Sequence, residues 1–218
     1  MIMAFLFAIS ISSSDSQSLL SFWKTLGAQI LFLVISGLIY SIGDYDKTLL
    51  GINTKTIGLS LGLGTGIGIL YLIIASLVPG FAIAYPNISL SIGSSLRFFT
   101  IVICSPIIET IFFVGCLIGY MRVFTPSKKN LFLVILFSSF VFASFHLGAY
   151  IFGIFDVSAR QGFLGFSQNI SVFISAFIFQ MLAGYLAYLK KIQSLLIVMV
   201  LHLIVNLFAY LSFSIAFA

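Results

Sequence analysis

The chain has 218 residues, of which 61% are hydrophobic and only 7% charged, with a formal net charge of +5. A soluble domain carries about 25% charged residues, so water is excluded as the main solvent, and the mean hydropathy of +1.24 agrees. No basic patch interleaved with aromatics marks a nucleic-acid partner. The lipid bilayer is the expected surrounding. A span takes about 20 apolar residues, so this length predicts an all-α, polytopic membrane helix bundle of about six transmembrane helices around a buried polar cavity.

Residues 1–11 are apolar but too short to span, and no basic n-region makes them a cleavable signal. They are read, with the polar residues up to 25, as an interfacial N-terminal segment, and Ser12-Ser13-Ser14-Asp15-Ser16 as a helix start. The first span is placed at 26–42 and the second run at 57–84, with a kink expected near Pro79-Gly80. Residues 26–95 form an N-terminal helical unit ahead of a core at 96–216. In the second run, Gly58, Gly62 and Gly66 are spaced by four, as are Gly64 and Gly68. This small-xxx-small spacing predicts close helix packing.

The third run, 96–124, contains Glu109 as its only acidic residue and Pro106 in its interior. A proline suits a first helical turn and disrupts an interior. A short segment ending near Ser105 and a new helix from Pro106 are therefore expected, with Glu109 in the first turn near the positive end of the dipole. The fourth span, 130–152, holds His146, and an irregular segment is expected over 153–168. The fifth span, 169–189, holds Gln180, read as interhelical glue, and ends in a turn at Lys190-Lys191. The sixth, 194–213, holds His202 and Asn206. Cys104 and Cys116 share one run about 18 Å apart on a helix, too far for a disulfide, and are read as packing residues. Lys47, Lys55, Arg122, Lys128, Lys129, Lys190 and Lys191 fall on one side of the span pattern, against Lys24, Arg97 and Arg160 on the other. The first group is assigned to the cytoplasm.

Glu109, His146, His202 and Asn206 stand out inside apolar runs. A charge at membrane depth costs about 2.5–3.5 kcal/mol or more and marks function. Glu109 has no basic residue within eleven positions, so the histidines of other spans are its nearest partners. His202 and Asn206 are four apart and share a helix face. Carboxylate and imidazole can activate water, and amide and imidazole N–H groups can stabilise an oxyanion. Two histidines and a glutamate also suit a catalytic zinc. Straight helices, rising about 1.5 Å per residue, put His202 about 12 Å and His146 about 24 Å from the cytoplasmic ends of their spans, a mismatch in depth.

Three motifs occur in order: Pro106-Ile107-Ile108-Glu109-Thr110-Ile111-Phe112-Phe113-Val114-Gly115, Phe142-Ala143-Ser144-Phe145-His146 and His202-Leu203-Ile204-Val205-Asn206. Over about 97–210 the chain resembles the CPBP family of intramembrane CAAX proteases and bacteriocin-processing enzymes, also called the Abi family. That family's motifs are Pro-x-x-Glu-Glu-x-x-x-Arg-Gly, Phe-x-x-x-His and His-x-x-x-Asn. Its second Glu is Thr110 here and its Arg is Val114, so an (i, i+4) pair of charges is missing together. The resemblance implies a multi-pass protein of the plasma membrane that hydrolyses hydrophobic or prenylated peptides. Glu109 and His146 would activate water while His202 and Asn206 hold the oxyanion, with no cofactor. A metalloendopeptidase with zinc on Glu109, His146 and His202 is the alternative chemistry. A non-catalytic member acting in bacteriocin immunity or membrane binding is the alternative function.

Overall fold

The computed structural model describes residues 13–42, 56–77, 96, 98–123, 128–151, 166–188 and 194–215. Among the described residues there are six helices and no strands. Helix α1 is Ser13–Ile42 and α2 is Ile57–Leu77. Helix α3 covers residues 99–123 in four windings: π over Phe99–Cys104, α over Ser105–Glu109, π over Thr110–Ile118 and α over Gly119–Val123. Helices α4, α5 and α6 are Lys128–Ile151, Phe166–Ala187 and Leu195–Ile215. Helix α1 is described from Ser13 onward, and the expected helix start at Ser12 lies at the edge of the described residues. Residues 1–12, the kink near Pro79-Gly80, most of the irregular segment and the Lys190-Lys191 turn lie outside the described residues.

Three of the helices are long and apolar enough to cross a membrane, at Ile57–Ile74, Phe99–Met121 and Asn130–Leu147. Shorter apolar helical stretches cover Leu26–Ile42, Phe173–Ala187 and Leu195–Phe208. Exposed faces carry Leu31, Val34, Leu38, Leu70, Ile73, Phe137, Phe140 and Ile178. Lipid tails, not water, suit such an exterior. Helix α3 is the centre of the bundle: its span is 61% buried, against 17% in α2 and 33% in α4. It touches α1, α4, α5 and α6. Phe113, Val114, Ile118, Ile197, Leu201, Ala143, Ala183 and Ala187 form the core around it.

The expected break before Pro106 is absent. Cys104, Ser105 and Thr110 all keep right-handed helical dihedrals, and the chain runs through the proline without a new N-terminus. Glu109 therefore does not sit in the first turn of a separate helix, and the dipole argument for it falls. The proline is accommodated by widening the helix instead. A proline ring clashes with the carbonyl four residues back. A π winding shifts the partners to five apart, and the Ser105 N–H accordingly meets the Thr100 carbonyl.

Alongside the α4–α5 pair, α2 packs most extensively on α6, and the glycines divide between two faces. A Cβ at Gly64 would lie 2.7 Å from the Ile197 carbonyl oxygen and 2.9 Å from the Val200 Cβ. One at Gly68 would lie 3.0 Å from an Ile204 methyl. The Gly64/Gly68 pair is thus the close-packing face expected from its spacing. Gly58, Gly62 and Gly66 have nothing within 4 Å and take no part in it, because a helix presents only one of its faces to α6. Gly64→Ala is expected to lower thermal stability in detergent by about 1–3 kcal/mol through overpacking. Gly62→Ala should leave the melting temperature unchanged or slightly raised, and equal melting of the two variants would contradict this packing.

Candidate active site

Glu109 closes the central α winding of α3 and is 5% exposed. Its Oε2 lies 3.8 Å from His146 Nε2 and 3.9 Å from His202 Nε2. Both imidazoles thus meet one carboxylate oxygen, although α4 enters the bundle long before His146 and α6 only shortly before His202. The depth mismatch expected from straight spans does not keep the two imidazoles apart. Distances of this length exceed a direct hydrogen bond. Among the described residues, Oε2 is buried and has no hydrogen-bond partner of its own. A buried carboxylate oxygen left so costs free energy.

The histidines are oriented by their surroundings. His146 Nδ1 pairs with the Phe142 carbonyl at 3.0 Å, one turn back. The Phe142 ring lies 4.1 Å from the His146 ring, and Phe179 lies 4.8 Å from His202. The phenylalanine of the second motif therefore does two things: its carbonyl fixes the ring nitrogen and its ring packs the imidazole. His146 is the more open member, with its side chain 23% exposed against 7% for His202.

Asn206 is buried, and its Nδ2 donates to the Ile101 carbonyl at 3.0 Å. The reason lies in Pro106. Five residues after Ile101 stands a residue without an N–H, and the N–H of Ser105 is already on Thr100. The Ile101 carbonyl is thus left without a backbone donor, and Asn206 supplies one. One amide hydrogen of Asn206 is thus committed to the backbone. On the other side, Gln29 Nε2 of α1 donates to the Thr100 carbonyl at 3.2 Å and to Ser105 Oγ at 2.5 Å. Ser105 lies one turn before Glu109 on the same α winding. Gln29 lies far from the motifs, and the sequence reading passed over it.

Other polar residues hold the bundle. Gln180 Nε2 donates to Ser138 Oγ at 3.1 Å, and Ser138 donates to the Phe113 carbonyl at 2.9 Å, so Gln180 is interhelical glue as its residue type suggests. Tyr188 donates to the Val114 carbonyl at 3.2 Å. Cys104 and Cys116 are free thiols. Ser60 lies at the centre of Gly58-Leu59-Ser60-Leu61-Gly62, a Gly-x-Ser-x-Gly pattern, but within helix α2. A nucleophile elbow needs a strand-to-helix turn, so the pattern has no hydrolase context. Val114 joins the apolar core and Thr110 is buried with its Oγ1 unpartnered. Neither position of the absent charge pair is open to water.

Zinc on Glu109, His146 and His202 would require the three side chains to draw closer together. Bonds of about 2.0–2.2 Å put ligand atoms around a tetrahedral ion about 3.4 Å apart. The separations here are 3.8 and 3.9 Å, and among the described residues no group of three or more His, Cys, Asp or Glu is arranged to hold a metal ion.

Residues 91–208, more than half of the chain, match a family model described as type II CAAX prenyl endopeptidase Rce1-like. Neither the curated proteins nor the solved structures contain a significant match. Asn206→Ala is expected to cost about 1–3 kcal/mol of stability, since it leaves the buried Ile101 carbonyl without a donor. Thermal melting in detergent checks this, and a wild-type melting temperature would contradict the capping role.

Proposed function

This chain belongs to the Rce1-like family of type II CAAX prenyl endopeptidases, and from that premise we propose that it hydrolyses peptide bonds of hydrophobic or prenylated peptides in the plasma membrane, with Glu109 as general base. The observation that carries the reading is the buried Oε2 of Glu109 set between two imidazole nitrogens.

The protonation pattern follows from the hydrogen bonds. A backbone carbonyl only accepts, so the His146 Nδ1 facing Phe142 carries the hydrogen. In the neutral ring, Nε2 is then an acceptor. Two acceptors, Glu109 Oε2 and His146 Nε2, face each other at 3.8 Å. A water between them donates one hydrogen to each and keeps its lone pairs for a substrate carbonyl. The ionised carboxylate takes one proton as the water attacks, and the proton later passes to the departing amine. His202 Nε2–H and the second amide hydrogen of Asn206 would meet the oxyanion that develops. The greater exposure of His146 favours approach of the peptide from its side of the cavity.

Glu109→Gln keeps the shape and removes the base. Turnover of a fluorogenic prenylated peptide by purified protein in detergent is expected to fall by at least about a hundredfold with the melting profile preserved. Undiminished cleavage would remove Glu109 from the chemistry. Turnover should also survive a strong chelator, whereas loss restored by added zinc would move the reaction to a metal. The uncharged, buried Thr110 and Val114 favour a second reading, a non-catalytic member conferring immunity or binding. That reading requires an activity of the protein in cells that is unaffected by Glu109→Ala.

A further inference from the structure

We propose that Tyr71 of α2 is a positioning residue for His202, acting through the ring of Phe179. This rests on the proposed role of His202 at the oxyanion and extends the site to a helix outside the matched residues 91–208.

The two imidazoles are held differently. His146 is fixed by its hydrogen bond to the Phe142 carbonyl at 3.0 Å. For His202, the ion-pair and ring contacts among the described residues are Glu109, the Phe179 ring at 4.8 Å and the Phe142 ring at 6.3 Å. Aromatic packing sets the plane of this imidazole, and Phe179 is the nearer ring. Tyr71 grips the turn that carries Phe179 at two points. Its ring meets the Phe179 ring edge to face, with centroids 5.7 Å apart. Its hydroxyl donates to the Ser175 carbonyl at 3.2 Å. In an α-helix that carbonyl also takes the N–H four positions on, that of Phe179, so the hydroxyl clamps the same turn from outside. The packing of α2 delivers the side chain there. Among the described residues of α2, the buried ones are Ser60, Gly64, Gly68 and Tyr71. Gly64 and Gly68 bring the helix close against Ile197, Val200 and Ile204 of α6. Tyr71, the one large side chain of that stripe, then reaches α5. A packing role alone would be served by phenylalanine, whereas the hydroxyl adds a fixed direction.

The test is a double-mutant cycle on the purified full chain in detergent, with Tyr71→Phe, Phe179→Leu and the pair. One readout is kcat and KM, taken separately on the fluorogenic prenylated peptide. The other is nitrogen NMR of histidine-labelled protein, with His202 assigned from a His146→Gln sample. Tyr71→Phe removes one hydroxyl and keeps the ring, so the packing of α2 is preserved. It is expected to move the His202 ring resonances and leave those of His146 in place. It should also lower kcat about fivefold, the loss of one orienting hydrogen bond, with KM within about twofold. Phe179→Leu should do at least as much, and the pair no more than Phe179→Leu alone. In Tyr71→Phe, unmoved His202 resonances, equal movement of both rings, an unchanged kcat or a change confined to KM would each overturn the proposal. Losses that multiply in the pair would overturn it as well. Should Phe179→Leu not yield monodisperse protein, Tyr71→Phe decides alone by the same readings. Glu109→Gln is run alongside. Full cleavage in that variant removes the base, and the His202 resonances in Tyr71→Phe then still decide whether Tyr71 holds that ring. An inactive Glu109→Gln beside a fully active Tyr71→Phe removes only the positioning role.

Discussion

A carbonyl in the middle of a membrane protein must find a donor, because hydrocarbon offers none. Pro106 creates one such demand at Ile101, and the widened windings on either side of Glu109 turn further carbonyls toward neighbouring helices. The response comes from four directions. Gln29 of α1 meets Thr100, Asn206 of α6 meets Ile101, Ser138 of α4 meets Phe113, and Tyr188 at the end of α5 meets Val114. Removing Asn206 would leave the Ile101 carbonyl unpaired, at a cost of about 1–3 kcal/mol, whereas the Thr100 carbonyl also keeps the Ser105 N–H. Helix α3 is therefore tied to α1, α4, α5 and α6 by directional bonds, in an environment where apolar burial gives little preference for one neighbour over another.

The same constraint produces the site. A π winding at a functional position is a recurring use of that geometry. Here the two π windings flank one turn of ordinary helix that ends in Glu109. With α3 fixed by side chains from both ends of the sequence, the carboxylate points to where α4 and α6 bring His146 and His202. Aromatic rings close the surroundings: Phe142 and Phe179 pack on the imidazoles. Phe32 stacks on Phe112 at 4.6 Å and meets Phe145 at 4.9 Å. Such a wall keeps the dielectric low around few polar atoms, where each electrostatic interaction counts for more than it would in water.

Much of this was legible in the residues because membrane depth makes polarity expensive. Glu109, His146, His202 and Asn206 stood out by type and spacing, and the three acid–base groups do converge. Gln180 behaves as glue for the same reason. What escaped the sequence was register. Periodicity assumes 3.6 residues per turn, and a helix that changes winding around a proline breaks that assumption, so Pro106 read as a helix start when it lies in a continuous helix. The glycine pattern named two stripes and could not say which faces a neighbour, since lipid-facing and helix-facing glycines have the same spacing. Gln29 was invisible for a third reason: its partners are backbone and hydroxyl groups some seventy positions away, and no local pattern encodes them. Asn206 was read for its chemistry alone, while part of its bonding capacity serves the proline.

The central claim is that one carboxylate faces both imidazoles. The chain has only two histidines, and Glu109 is its only glutamate, which makes the claim directly measurable. Nitrogen NMR of histidine-labelled protein in micelles would resolve two ring environments, compared between the natural protein and Glu109→Gln. The expected result is that the Nε2 resonances of both rings move together on that single substitution. Movement of only one ring, or of neither, would contradict a shared site.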